Sequence, residues 1–154
     1  MARMIREAGE EDIPEISELE LMSLEPVWER EDIVPDRGSL KKFLVNGMEQ
    51  GHRLVVMEDG GYISGFLHSV GYRDVITNDD IREIISLVVH PEHFGEGIGG
   101  ELIENERLFC RSQGVALLKL EVLSSNQRGI SFYRKHGFRE IKKVMIRDVE
   151  KKEG

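Results

Sequence analysis

Four glycines, Gly95, Gly97, Gly99 and Gly100, crowd the segment VVHPEHFGEGIGGELI between Val88 and Ile103. They stand where an apolar run gives way to a helix-like pattern. Glycine costs a helix interior about 1 kcal/mol against alanine, so the cluster calls for a chemical reason. A P-loop would need Lys and then Ser or Thr after the last glycine, to reach phosphate and Mg²⁺. Glu101 and Leu102 follow instead, and a carboxylate there repels phosphate. A dinucleotide fingerprint is met literally by Gly95, Gly97 and Gly100, with Glu121 ending the next strand. HPEHF, however, separates these glycines from the strand, and too little chain follows Glu121 to build further βα units. The third chemistry is a helix start whose unpaired N–H groups and dipole hold a pyrophosphate. Glycine then lets the oxygens reach the backbone with no Cβ in the way. Taken alone, the segment also fits a plain glycine turn with tight helix–sheet packing.

Other reactive side chains carry weaker signals. His90, Glu92 and His93 have ligating atoms, but the proline turn between them is a poor preformed metal site and no further Cys or His stands at ligand spacing. They read as surface loop residues, and no metal is expected. Cys110 lies on an apolar helix face and reads as core rather than nucleophile. As the only cysteine, it also rules out an intramolecular disulfide framework.

These residues need elements to position them. MARMIREAG reads as a first strand ending at Gly9. In EEDIPEISELELMSLE, Ile13, Ile16, Leu19 and Leu24 recur at helical spacing, with Asp12 as cap and Pro14 in the first turn. PVWEREDIVPDRG reads as a loop carrying Trp28, and SLKKFLVNGMEQG as a helix capped by Ser39 and stopped at Gly51. HRLVVMEDGGYISGFLHSVGY predicts a hairpin turning at EDGG, and RDVITNDD a polar loop. REIISLVV predicts a central strand covered on both faces. Strict alternation along it puts Glu83, Ile85, Leu87 and Val89 on one face. Ile98, Leu102 and Phe109 mark the buried stripe of the helix after the glycines, which ends at Gln113-Gly114. VALLKLEVL predicts a strand, SSNQRGISFYRKHG a short helix capped by Ser125 or Asn126, and FREIKKVMIRDV a last strand.

The order is that of a mixed α/β chain. Its 154 residues, 40% hydrophobic, suit one domain over 1–154, with 150–154 as a loose tail. No apolar run reaches the roughly 18 residues of a membrane span, and MARMIREAGEED lacks a signal peptide's apolar core. A cytoplasmic location without membrane association is expected. The net charge of −8 argues against binding nucleic acid. It suits cationic small partners such as amines, although solubility is its plainer use.

Two stretches together carry a family resemblance. LVVHPEHFGEGIGGELI resembles the V-x-P-x-x-(R/Q)-G-x-G-I-G signature of the GNAT superfamily of acetyl-CoA-dependent N-acetyltransferases. EVLSSNQRGISFYRKHGF is similar to that family's N-x-x-A-x-x-x-Y-x-x-x-G-F signature, and MIREAGEEDIPEISEL to its usual first strand and helix. The resemblance implies a central, mostly antiparallel, splayed sheet flanked by helices. It implies that the pyrophosphate of acetyl-CoA lies on Gly95 to Gly100, taking in Glu96, Gly97, Ile98 and Gly99, with Phe94 before them. It implies that the pantetheine arm pairs with Leu87, Val88 and Val89, that Asn126 lies near that arm, and that Tyr133 lies near the thioester sulfur. Phe94 stands where Arg or Gln is usual, Glu96 where a neutral or basic residue is common, and Gly129 where alanine is. The first two remove or oppose positive charge beside the pyrophosphate. Arg128, Arg134 and Lys135 are alternative sources of charge for the nucleotide phosphates.

Acetyl transfer to an amine then sets roles. Tyr133 is the candidate general acid, since a phenol pKa near 10 lies close to that of a leaving thiol. Glu83, on a largely apolar strand, is the candidate general base; its alternative is a strand-end glutamate paired with Arg82 or solvent. The N–H of Val89 is placed to meet the oxyanion. The resemblance puts the acceptor site between Leu24 and Gly38, with Trp28, and near YRDVITNDD. Glu25, Glu29, Glu31, Asp32 and Asp36 there attract a cationic amine or form a solvated acidic loop. A primary amine, on a small molecule, a protein N-terminus or a lysine, is the expected acceptor, and a homodimer is compatible. The competing readings are a CoA-binding regulatory module with weak catalysis, and a purely structural partner domain.

Overall fold

The computed structural model describes the backbone of residues 2–31 and 34–150, and the side chains of these outside 25–33. Gly60 and Gly61, at φ of 63° and 89°, make the tight turn that a two-residue hairpin needs, so β2 (Arg53–Asp59) folds back as β3 (Tyr62–Arg73). β1 (Arg3–Glu7) pairs with β2, and β4 (Asp80–Val89) with β3, all antiparallel. β5 (Leu117–Leu120) joins β4 in parallel, giving a five-stranded sheet in the order β1-β2-β3-β4-β5. The chain divides after Glu121 into two compact units, and this sheet belongs to the first.

Helices α1 (Ile13–Glu31) and α2 (Arg37–Glu49) cover one face of the sheet. Ile13, Ile16, Leu19 and Leu44 pack there on Leu54, Val56, Ile63, Phe66 and Val88, each buried side chain contributing about 1.5–3 kcal/mol. α3 (Ile98–Ser112) covers the other face. It lies close because β3 offers Gly65: a Cβ there would stand 3.0 Å from Ile98 Cγ2 and 2.9 Å from the Val88 carbonyl. Beneath α3, the fully buried Glu106 is paired with both Arg53 and Arg82, accepts from Ser69 Oγ at 2.7 Å, and thereby ties the helix to three strands. Both guanidinium groups also lie over the Phe109 ring, at 4.3 and 4.9 Å. Among the described residues no helix is long and apolar enough to cross a membrane.

Several expectations change. α1 stays helical through Pro26 to Glu31 where a loop was expected. A proline removes one backbone bond, and the residues on either side of this one are compatible with a helix. The connecting loop shrinks accordingly, and the side chain of Trp28 lies outside the described residues, as do those of Glu25, Glu29, Glu31 and Asp32. α2 is capped by Asp36, whose carboxylate accepts from Ser39 N at 2.9 Å, not by Ser39 itself. The register of β3 on β4 skips Ile85, with His68 opposite Ser86 and Ser69 opposite Ile84. This bulge reverses the alternation. Glu83 pairs with Val70, on the α1 side with Ser86 and Val88, while Leu87 and Val89 face α3. The expected single face for Glu83, Ile85, Leu87 and Val89 is therefore not formed.

The second unit contains α4 (Gln127–Lys135), capped by Asn126 and ended by Gly137 at φ 92°. The strand expected over FREIKKVMIRDV is absent, and Ile141, Val144, Met145, Ile146 and Val149 are exposed. A strand exists only by pairing, and the described residues of this unit contain no second strand. Of the expected tail, residues 151–154 lie outside the described residues.

A buried histidine gives the first unit a pH signature. His68 is 1% exposed, and its Nε2 meets His52 Nδ1 at 2.9 Å beside Phe43. Burial, aided by the neighbouring His52, pushes its imidazole from 6.5 down to about 4. Below pH 6.5 the unfolded chain takes up a proton that the folded chain refuses. The stability this group contributes is full above that pH and is lost as pH falls toward 4, by up to about 1.4 kcal/mol per pH unit. Urea midpoints between pH 7 and 4.5 should therefore fall more steeply for the native protein than for His68→Asn. Parallel curves would show that His68 does not carry the effect.

Candidate active site

The glycine segment forms the entry to α3. After Val89 the chain makes a 3-10 turn at Pro91–His93, then crosses Gly95 and Gly97 at φ of 84° and 81°. Only glycine adopts these conformations without strain, and a Cβ at either position would meet nothing within 4 Å. Gly97 is the N-cap and offers no side chain to the helix. The first backbone bond closing on it comes from Glu101 N to Gly97 O, at 3.0 Å. The amides of Ile98, Gly99 and Gly100 thus precede the helical ladder, at the positive end of the dipole.

Glu96 does not stand as an uncompensated charge in this loop. Its carboxylate meets Arg3 Nη2 at 3.6 Å and His93 Nδ1 at 3.0 Å, and Arg3 also donates to its carbonyl at 3.3 Å. His93 in turn meets the Tyr62 hydroxyl. The acidic residue fastens the loop to β1 and β3, and brings a guanidinium beside the glycines that sequence reasoning missed. His90, from the same HPEH stretch, caps the 3-10 turn by accepting from Glu92 N at 3.1 Å. Phe94 is about half exposed, at 48%. Cys110 is buried, which pushes its thiol up.

β4 leads into this loop along a parted edge. β5 pairs only with Ile81 to Ile84, so beyond the bulge no strand lies beside β4 on that side among the described residues. His90 N donates to Ser64 O at 2.8 Å. Hydrogen bonds alternate along an antiparallel pair, and this register therefore turns the amides of Leu87 and Val89 away from β3. Their N–H and C=O groups face the gap.

Two carboxylates occupy the α1 side of β4. Glu83 is 3.3 Å from Lys119 Nζ, and Lys119 also donates to the Tyr72 hydroxyl at 3.2 Å. The expected alternative partner, Arg82, instead serves Glu106 on the other face. Glu20 of α1 was not foreseen. Its Oε1 accepts from Ser86 Oγ at 2.9 Å, its Oε2 is buried with no hydrogen-bond partner among the described residues, and burial pushes its carboxyl up despite the Ser86 bond. The available signal was its place on the apolar stripe of α1, one turn after Ile16 and one before Leu24.

In the second unit, Asn126 Oδ1 accepts from Gly129 N at 2.9 Å. A Cβ on residue 129 would stand 2.5 Å from Asn126 Nδ2, so Gly129 leaves room for the capping amide to fold over it. Tyr133 lies half-buried between Phe132 and Phe138, with ring centroids 5.4 and 5.7 Å away. Burial pushes its phenol up, so it keeps its proton through neutral pH.

Known proteins share this architecture. Residues 50–140 match the family model described as an acetyltransferase (GNAT) domain. The chain is 26% identical over 133 residues to a Bacillus subtilis (strain 168) protein named "Putative ribosomal protein bS18-alanine N-acetyltransferase", covering 86% of this chain and 78% of that one. Among solved structures, a tetramutant of the BH1408 protein from Bacillus halodurans superposes with a TM-score of 0.80 at 25% identity, covering 95% of this chain and 99% of that one. An aminoglycoside acetyltransferase, meta-AAC0020, from an uncultured soil metagenomic sample shares the fold with a TM-score of 0.72 at 22% identity, over 97% of both chains. With the model matching more than half of its length, the chain belongs to the GNAT acetyltransferase family.

Proposed function

We propose that the protein transfers the acetyl group of acetyl-CoA to a primary amine, directly and in a ternary complex. The observation that carries this is the parted edge of β4 leading straight into the uncapped start of α3. The two fit an extended amide-bearing arm followed by a pyrophosphate: backbone groups for the first, open amides at φ-positive glycines for the second. Arg3 offsets the Glu96 carboxylate beside the same loop. Acetyl-CoA, when bound, supplies an acetyl group activated as a thioester.

The chain supplies the rest. The Leu87 and Val89 backbone holds the arm, and Val89 N–H meets the carbonyl oxygen as it gains charge. A carboxylate on the α1 side of β4, Glu83 or Glu20, serves as base. Tyr133 keeps the role the resemblance gives it, as proton donor to the departing sulfur. The relatives' names speak of a ribosomal-protein alanine and of aminoglycosides, and both can present a primary amine.

The test is an amine panel with acetyl-CoA: an alanine-initiated peptide, Nα-acetyl-lysine, spermidine and an aminoglycoside. Free-thiol release matched by an acetyl mass gain on at least one amine is the expected result. CoA binding without thiol release on any of them would instead favour a regulatory module.

A further inference from the structure

The two carboxylates on the α1 side of β4 differ in what they touch. Glu83 faces the Lys119 ammonium, which matches its charge. Glu20 has one oxygen held by Ser86 and the other buried without a partner among the described residues. Buried polar atoms are almost always bonded, and one left open carries the full desolvation cost. Such an atom in a native site asks for a use.

We propose that Glu20 of α1, rather than Glu83, takes the proton from the acceptor's ammonium, with Ser86 holding its carboxylate against β4. This rests on the acetyl-transfer reading above. Position supports it, because Ser86 immediately precedes the Leu87–Val89 edge on which that reading lays the thioester arm. The surroundings support it too. Ser17, one turn earlier on α1, is buried with its Oγ unpartnered, and His68, opposite Ser86 in the sheet, is buried with its Nδ1 unpartnered. The unpartnered buried side-chain atoms of the described residues thus fall on the inner face of α1 and the sheet beneath it. Burial also raises the Glu20 carboxyl, toward the range in which a carboxylate accepts a proton at neutral pH.

The step balances. An N–H bond of the ammonium breaks and its proton bonds to Glu20 Oε2. The freed lone pair attacks the thioester carbon, the nitrogen sheds its second proton to solvent, the C–S bond breaks, and the departing thiolate takes a proton from Tyr133, which solvent restores. Glu20 then returns its proton to solvent. Among the described residues, the other charged or titratable groups facing this region are His68 and Tyr72 from β3 and Glu83 from β4, the last two both joined to Lys119 of β5. From α2, Arg37 pairs with the exposed Glu18 instead.

The experiment uses the full chain, acetyl-CoA and an amine that the wild-type protein acetylates. Glu20→Gln should lower kcat/KM for the amine by about 100-fold or more at pH 7, leave the KM for acetyl-CoA within about threefold, and abolish the acidic limb of the pH–rate profile. Glu83→Gln should keep that limb. Ser86→Ala, which removes a hydroxyl donor from the carboxylate, should move the limb to higher pH, and it keeps the test open where Glu20→Gln fails to fold. Near-native kcat/KM in Glu20→Gln, an acidic limb that persists there, or a limb unmoved in Ser86→Ala overturns the assignment. A wild-type protein inactive on every amine sinks the acetyl-transfer reading itself, and the role of Glu20 with it.

Discussion

Glu106→Ala should destabilise the protein by about 3–5 kcal/mol, read as a lowered urea midpoint at pH 7. The Glu106 side chain is fully buried, and those of Arg53 and Arg82 are only 14% and 12% exposed. Removing the carboxylate leaves two guanidinium groups facing one another over Phe109, in a setting that screens them poorly. Each keeps a neutral partner, Asn105 Oδ1 at 2.7 Å for Arg53 and Ser69 Oγ at 3.1 Å for Arg82, but neither partner carries charge. A loss of this size is a large fraction of the roughly 5–15 kcal/mol that holds a domain together. The cost belongs to the broken set rather than to the set itself. Replacing all three charges with apolar residues of similar volume should recover much of it, because the desolvation of three ions disappears with them. A loss below about 1 kcal/mol in Glu106→Ala would show that water reaches the guanidinium groups and that the cluster is not a lock. If it is a lock, it also steadies the start of α3, since the helix that carries Glu106 begins at the glycine loop.

What the sequence made legible follows the range of the interactions involved. The EDGG turn and the positive φ at Gly95 and Gly97 are local, and glycine announces them. A parting of β4 from β5 was implied by the resemblance; the register shows that β5 pairs no further along β4 than Ile84. The side of β4 that Glu83 takes was not legible, because the reversal comes from a bulge at Ile85, an ordinary strand residue with no turn chemistry. Glu106 stands one turn after Leu102, on the buried stripe, so a charge among apolar residues was visible. Its partners lie on β2 and β4, however, and charge pairing across that distance in the chain leaves no pattern to read. Glu96 looked wrong beside a pyrophosphate for the same reason: the arginine that answers it is Arg3, at the other end of the first unit's sequence. FREIKKVMIRDV carries Ile and Val as a strand does, but composition makes a strand only where an edge is there to pair with.

Tyr133→Phe should lower kcat by about 100-fold or more while acetyl-CoA affinity changes little. The substitution removes one hydroxyl and keeps the ring. The contacts of that ring with Phe132 and Phe138 survive, and the thermal midpoint should stay close to wild type. On the acetyl-transfer reading proposed above, what is lost is a proton held ready for the departing sulfur. The phenol is pushed up by burial, so at neutral pH it is fully protonated and can donate as the sulfur gains charge. Without it the thiolate leaves with only solvent to meet it. A binding residue behaves differently: its removal raises KM and leaves kcat alone. The two are separated by measuring kcat with saturating amine and the Kd for CoA by calorimetry on the same variant. A kcat within about threefold of wild type would take Tyr133 out of the chemistry. The acetyl-transfer reading would then rest on the β4 edge and the amides of α3, with the proton for sulfur coming from elsewhere.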